Sequence, residues 1–178
     1  GIILSLRQEL IVTGIIFLLL LMKVGTAEYR TEVTLRLVNI LLFINFIIGF
    51  LPSPDAVLFS GMFHTNKLLV LEKNMLNLGT LIISLQAYDW LKDHRHVPEF
   101  YMLLLATLAG FFFMISAGNL LMFYLGLELS TIPLAALSSF DLEKRQSSEA
   151  AMKFILSSAF SSALLLFGIS LLYGATGT

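Results

Sequence analysis

At 178 residues, 57% hydrophobic and 13% charged, the chain is too apolar for an ordinary soluble domain, where about 25% of residues are charged. A net charge of −1 supplies no basic surface, so no nucleic-acid partner is expected. Without cysteine, this chain offers no thiolates to an iron–sulfur cluster or a Cys-type zinc site.

Crossing the hydrocarbon core takes about 20 apolar residues, which divides the sequence into six candidate spans within a single transmembrane domain over 1–178. The first, roughly 4–24, centres on Ile11 to Met22 and ends at Lys23. Glu9 beside Arg7, and the lack of a small-residue cleavage site, argue for a retained span rather than a signal peptide. The second, roughly 34–51, stops at Pro52 and Pro54. The third, roughly 68–91, has an uncharged centre from Asn74 to Tyr88; Lys67, Glu72 and Lys73 at its start read as an interfacial cluster with Glu72 neutralised locally, in preference to the outer end of a polar path. The fourth, roughly 98–117, opens at Pro98. A tight turn at Ser116-Ala117-Gly118-Asn119 separates it from the fifth, roughly 119–140, and the sixth covers roughly 148–173. Short loops and the lack of strand-like alternation predict an all-α polytopic transmembrane helix bundle.

Lys and Arg counts set the orientation. The loops after spans one, three and five carry Lys23, Arg30 and Arg36, then Lys92 and Arg95, then Lys144 and Arg145. The intervening loops offer only Lys67, so the odd loops are expected in the cytoplasm and the N-terminus outside, against the weaker vote of Arg7.

From Phe100 to Phe140 the only formally charged side chain is Glu128, about ten residues from either end of the fifth span and hence near the bilayer midplane. A carboxylate there costs about 2.5 kcal/mol or more, and needs a partner, water or a proton. Tyr124 lies one helical turn before it and Thr131 one turn after. Pro133 lacks an N–H and crowds the carbonyl of Leu129, so the helix is expected to kink or loosen just beyond Glu128. The site reads as a proton or ion relay; the competing reading is a glutamate locked to a partner helix for specificity alone.

Lys153 lies inside the cytoplasmic end of span six with Glu149 four residues earlier, an i,i+4 pair. Two readings stand beside each other: a lysine that snorkels to the interface, or a member of a proton path. Ser157, Ser158, Ser161, Ser162 and Gly168 suit close helix packing, and the hydroxyls of Ser157 and Ser161 are also candidates to hold water along that path. His94 and His96 lack an evident third ligand, so no metal site is expected.

The run Gly118-Asn-Leu-Leu-Met-Phe-Tyr-Leu-Gly-Leu-Glu128-Leu-Ser-Thr-Ile-Pro133-Leu, followed by Lys144-Arg145 and Ser148-Glu-Ala-Ala-Met-Lys153-Phe, resembles the antiporter-like membrane subunits of respiratory complex I. The continuation through Ser157-Ser-Ala-Phe-Ser-Ser162 to Leu172-Tyr-Gly-Ala-Thr-Gly177 looks most like the chain N group of bacterial proton-translocating NADH:quinone oxidoreductases. The specific match covers about 98–177; residues 1–97 agree mainly in span pattern.

The resemblance implies a subunit of a translocating oxidoreductase, with no redox catalysis in this chain. NADH, FMN, iron–sulfur clusters and quinone would sit on or between partner subunits, and no cofactor in this one. It implies other complex I membrane subunits and the lipid bilayer as partners, and a multi-pass place in the bacterial inner membrane. Glu128 matches the family's fifth-span glutamate and Lys153 the sixth-span lysine typical of chain N. The family's later lysines fall on spans beyond Thr178, so the chain is expected to be an N-terminal fragment. Two alternatives are a subunit of a multisubunit cation/proton antiporter and a membrane-arm scaffold that transports nothing.

Overall fold

The computed structural model describes residues 1–25, 31–141 and 144–177. Arg30, counted above for orientation, lies outside the described residues. The chain forms an all-α bundle with one small hairpin among the described residues: α1 (Ile2–Ser5), α2 (Arg7–Val24), α3 (Thr31–Ile48), β1 (Ala56–Leu58), β2 (Phe63–Thr65), α4 (Lys67–Gln86), α5 (Tyr88–Leu91), α6 (Val97–Ile115), α7 (Leu120–Ser138) and α8 (Arg145–Thr176).

Five of these helices, α3, α4, α6, α7 and α8, are long and apolar enough to cross a membrane. The helix at the first expected span, α2, holds Arg7, Glu9 and Lys23 within its 18 residues, more charge than those five tolerate in an equal length. The third expected span divides: α4 ends at Gln86 and α5 follows a bend at Ala87.

Local chemistry sets several boundaries. Asn66 and Asn119 cap α4 and α7 by accepting the N–H groups of Leu69 and Met122 at 3.0 and 2.8 Å. Proline in the first turn opens α6, where its missing N–H has no helical partner to lose. Gly177, at φ 73°, closes α8 in the left-handed conformation and donates its N–H to the Tyr173 carbonyl.

The apolar core joins α2 (Val12, Ile15, Leu19), α3 (Leu35, Val38, Leu42) and α6 (Tyr101, Leu105, Leu108, Phe112). Helices α6 and α7 cross in near contact. A Cβ on Gly110 would strike the Ser130 backbone, and one on Gly126 would meet Met114, so glycine on each helix permits the approach. The opposite faces carry exposed Leu, Ile and Phe, as a bilayer requires.

The hairpin was not anticipated from sequence. Its register is Ala56↔Thr65, Val57↔His64 and Leu58↔Phe63, closed by a turn whose Phe59, Ser60 and Gly61 all have positive φ. It docks on the α6–α7 turn: His64 N–H donates to Ser116 O and Gly118 N–H to Met62 O, both at 2.8 Å. A side chain at Gly118 would collide with Gly61 O and the His64 ring.

Polar contacts tie the helix ends together. Arg7 donates to the carbonyls of Leu51 (2.6 Å) and Pro52 (3.3 Å) just beyond α3, where a cation also meets the negative end of the helix dipole. At the other end of α2, Lys23 pairs with Glu99 in the first turn of α6 at 2.6 Å.

Helix α4 corrects the reading of its charges. Lys73, Asn74, Asn77, Thr80 and Ser84 are buried, while Leu68, Leu71, Met75, Ile82, Ile83 and Leu85 face outward. Lys73 is 1% exposed and pairs with Glu9, itself 3% exposed. It is therefore enclosed by the bundle rather than facing outward with Lys67. Glu72, expected to be neutralised within that cluster, is exposed and makes no ion pair among the described residues.

Candidate functional site

Glu128 sits mid-helix in α7, flanked by residues that face the other way. Gly126, Ser130 and Ala135 are buried, the first two against α6. Glu128 is turned instead toward α8, where the Ser162 hydroxyl donates a hydrogen bond to its Oε1. Ser162 is one of only three buried residues on α8, with Ala151 and Ile169. These occur eleven and then seven residues apart, the spacing of one helical face.

Two clefts open along the α7–α8 seam. One, about 240 Å³, is lined by Glu128, Thr131, Ser158 and Ser162 with apolar walls from Ile132 and Ile155. The other, about 290 Å³, is lined by Leu127, Thr131, Ser157, Ser158, Ser161 and Ser162. Each is roomy enough for several waters at about 30 Å³ apiece. Thr131, Ser158 and Ser162 border both clefts, so hydroxyls form the wall between them.

The hydroxyls of Ser130 and Thr131 both donate to the Leu127 carbonyl, at 2.8 and 2.7 Å. Such back-bonding satisfies a hydroxyl proton inside an apolar environment and leaves its lone pairs able to accept. Thr131 therefore presents an acceptor to the seam. Pro133 lies within α7 without interrupting it: the helix is continuous from Leu120 to Ser138, so the expected loosening does not break the element. Tyr124 is half-buried, and no hydrogen bond joins it to Glu128 among the described residues.

The second expected relay residue is elsewhere. Lys153 is 75% exposed and pairs with Glu149 at 2.8 Å, the pair read from the i,i+4 spacing. From Lys153 to Ser162 is nine residues, hence about 13 Å along α8 and half a turn around it. The structure thus brings together Glu128, Thr131, Ser157, Ser158, Ser161 and Ser162, and leaves Lys153 with Glu149 on the far face. His94 stacks on Phe140 with ring centroids 4.7 Å apart, and no group of three or more His, Cys, Asp or Glu suited to a metal occurs among the described residues.

Sequence reasoning missed a second polar centre, between α2, α3, α4 and α6. Besides the Glu9–Lys73 pair, Asn45 Nδ2 donates to Asn77 Oδ1 at 3.0 Å, and Asn77 Nδ2 donates to the Leu42 carbonyl at 3.0 Å. Further along α4, Ser84 bonds Asn39 and lies 2.8 Å from the Tyr101 hydroxyl. The available signal was periodic: Lys73, Asn77, Thr80 and Ser84 fall at i, i+4, i+7 and i+11, a polar stripe on an otherwise apolar helix.

A carboxylate held mid-helix in a hydroxyl-lined seam, within a bundle of helices long and apolar enough to cross a membrane, defines a class, the polytopic membrane proteins with an acidic group inside a span. Comparison with known proteins agrees: residues 117–178 match the family described as NADH:quinone oxidoreductase/Mrp antiporter, TM. The chain belongs to this family of antiporter-like membrane subunits.

Among curated relatives it is similar to NADH-quinone oxidoreductase subunit N of Phocaeicola vulgatus, 42% identical across 99% of this chain and 38% of the relative. It is also similar to subunit N of Bartonella bacilliformis, 36% identical across 98% of this chain and 36% of the relative. Subunit N of Azobacteroides pseudotrichonymphae is 43% identical over 67% of this chain and 26% of that protein. The chain therefore covers between about a quarter and two fifths of the length of these relatives.

Proposed function

We propose that this chain acts as part of a membrane subunit of an NADH:quinone oxidoreductase, taking part in proton translocation driven by quinone reduction in partner subunits. The observation that carries the reading is Glu128, held mid-helix by a serine hydroxyl in a seam of water-sized clefts. Glu128 gains and loses a proton, or exchanges Ser162 for another partner, as charges elsewhere in the complex change. Thr131, Ser157 and Ser161 support exchange by lining water beside it. Tyr124 and Pro133 border the same stretch of helix, Pro133 leaving the Leu129 carbonyl without its usual N–H donor.

Lys153 acts in this reading at a distance. The field of a cation elsewhere on α8 biases a proton equilibrium without contact. Glu149 moderates that charge. In this reading the protein lies in the bacterial inner membrane, multi-pass, with the N-terminus outside and other complex I membrane subunits beside it. It contributes to an enzyme without performing redox chemistry itself; NADH, FMN, iron–sulfur clusters and quinone belong to its partners.

A second reading has one observation in its favour, since the matching family description also covers Mrp antiporters. Replacing Glu128 by Gln in the full-length protein, within its assembled complex, tests both against a scaffold. Loss of NADH-driven proton translocation with assembly intact is the expected result. Unchanged translocation would leave only the scaffold role, and sodium-dependent proton exchange without NADH oxidation would favour the antiporter.

A further inference from the structure

The Glu128 seam makes no use of the other buried charges. Glu9 on α2 and Lys73 on α4 meet across 64 residues of sequence, each almost fully enclosed. The ring of Phe63 from the hairpin faces Lys73 Nζ, 4.8 Å from its centroid. Around the pair are buried polar atoms with no protein partner: Glu9 Oε2, Gln8 Nε2, Asn45 Oδ1, Asn74 Oδ1 and Thr65 Oγ1. A pair that served only to hold two helices would be expected to satisfy its own lone pairs, because each buried unmet polar group costs about 1–3 kcal/mol. Glu9 Oε2, Gln8 Nε2 and Asn74 Oδ1 belong to the pair or to residues next to it in sequence, and unmet buried atoms of this kind are where buried water binds. A cleft of about 400 Å³ runs from Lys67 and Ser53 at the rim to Asn74, the residue beside Lys73; Glu9 and Lys73 themselves do not line it.

The neighbouring charges leave the pair to itself. Arg7 is engaged with backbone carbonyls beyond α3, and Glu72 is on the exposed face of α4. Lys67 stands at the cleft rim, and His64 on β2 turns its Nε2 toward Gly61 O at 3.0 Å. The charged residues of α3 (Glu32, Arg36) and of α6 (Glu99) lie toward the opposite ends of those helices. What the elements around it offer instead is the amide and hydroxyl series Asn45, Asn77, Asn39, Ser84 and Tyr101.

We propose that Glu9 and Lys73 form a second proton-exchange site, separate from Glu128 and fed through the cleft that ends at Asn74. An N–H bond of the Lys73 ammonium breaks, its electron pair staying on nitrogen, and an O–H bond forms on Glu9. The neutral amine then takes a proton from a hydronium ion in the cleft, which becomes water. The site now carries one more proton than before, held on the Glu9 carboxyl, and returns to the ion pair when that O–H bond breaks and a water accepts the proton. The step needs no oxidant or reductant.

The inference rests on the proposed proton-translocating role, and its test runs beside Glu128→Gln so that the two fail separately. In the full-length protein within its assembled complex, Lys73→Arg keeps a cation opposite Glu9 but cannot surrender a proton. Glu9→Gln with Lys73→Met removes both charges at similar volume, a change that buried pairs generally tolerate. Both are expected to lower NADH-driven proton translocation about a hundredfold at matched complex content, the modest end of what one positioned proton-transfer group contributes. Infrared difference spectra after a pH step should show a carboxylic-acid band in the wild type that the double variant lacks and Glu128→Gln retains. Wild-type translocation in either variant, or a wild-type spectrum without that band, would overturn the proposal and leave the pair a structural tie. Loss in Glu128→Gln alone would keep the first reading and remove this one.

Discussion

One hydroxyl separates Glu128 from an unpaired carboxylate in lipid. Ser162→Ala removes that donor, and hydrogen bonds between membrane helices are worth about 0.6–2 kcal/mol. The variant is expected to assemble and to unfold in detergent titrations at slightly lower denaturant, by no more than that amount. Its proton translocation should fall less than that of Glu128→Gln, because Ser158 and Thr131 remain on the same cleft to hold water near the carboxylate. Glycine has the opposite residue-scale role. At Gly110 a methyl group would meet backbone rather than a flexible side chain, so no rotamer change relieves it. Gly110→Ala should therefore cost about 1–3 kcal/mol, as overpacking does. The same change at Gly14, which has open space around it, should cost far less. Thermal unfolding of the two variants in matched detergent distinguishes them.

At the scale of elements, α4 shows how far a sequence pattern reaches. Its apolar centre made a span legible, and its polar stripe was written at helical spacing. What the stripe faces was not written there. The partners Glu9, Asn45 and Asn39 come from α2 and α3, and nothing local says that these helices pack on that side. Lys73 consequently read as interfacial from its nearness to Lys67, when its neighbours in space are Glu9 and Phe63. Removing one partner alone leaves a buried unmatched charge, so Glu9→Ala is expected to destabilise the α2–α4 contact by about 3–5 kcal/mol. Lower yield of the assembled protein, recovered when Lys73→Met is added, would mark that effect. The hairpin was hidden for a related reason. Strands of three residues carry no useful alternation, and β2 is fixed by pairing with both β1 and the Ser116–Gly118 turn. Gly118→Val should displace it, seen as faster proteolysis near Ser60.

Taken whole, the helices alternate direction so that the hairpin and the α6–α7 turn share one side, and Lys23, Glu99 and Lys144 fall on the other. Positive-inside counting assigns the second side to the cytoplasm. Because these 178 residues contain no cysteine, single cysteines introduced among them can be compared by labelling against the unsubstituted protein. In intact cells an impermeant thiol reagent is expected to label Ser60→Cys and to spare Asp93→Cys, with the pattern reversed in inverted vesicles. Labelling of Asp93→Cys from outside would invert the topology.

By itself the sequence determined the membrane class, the positions of the apolar helices and the identity of Glu128 as the charge that needs explanation. These follow from local quantities: hydrophobic length, caps such as Asn66 and Asn119, and the cost of a lone carboxylate in lipid. Tertiary structure alone decided that Ser162 rather than Lys153 meets Glu128, and that Glu9 finds Lys73. The reason is geometric. Helical spacing places a residue on a face, but which face meets which neighbour depends on close approaches such as Gly110 on Ser130, made between segments that no local pattern connects.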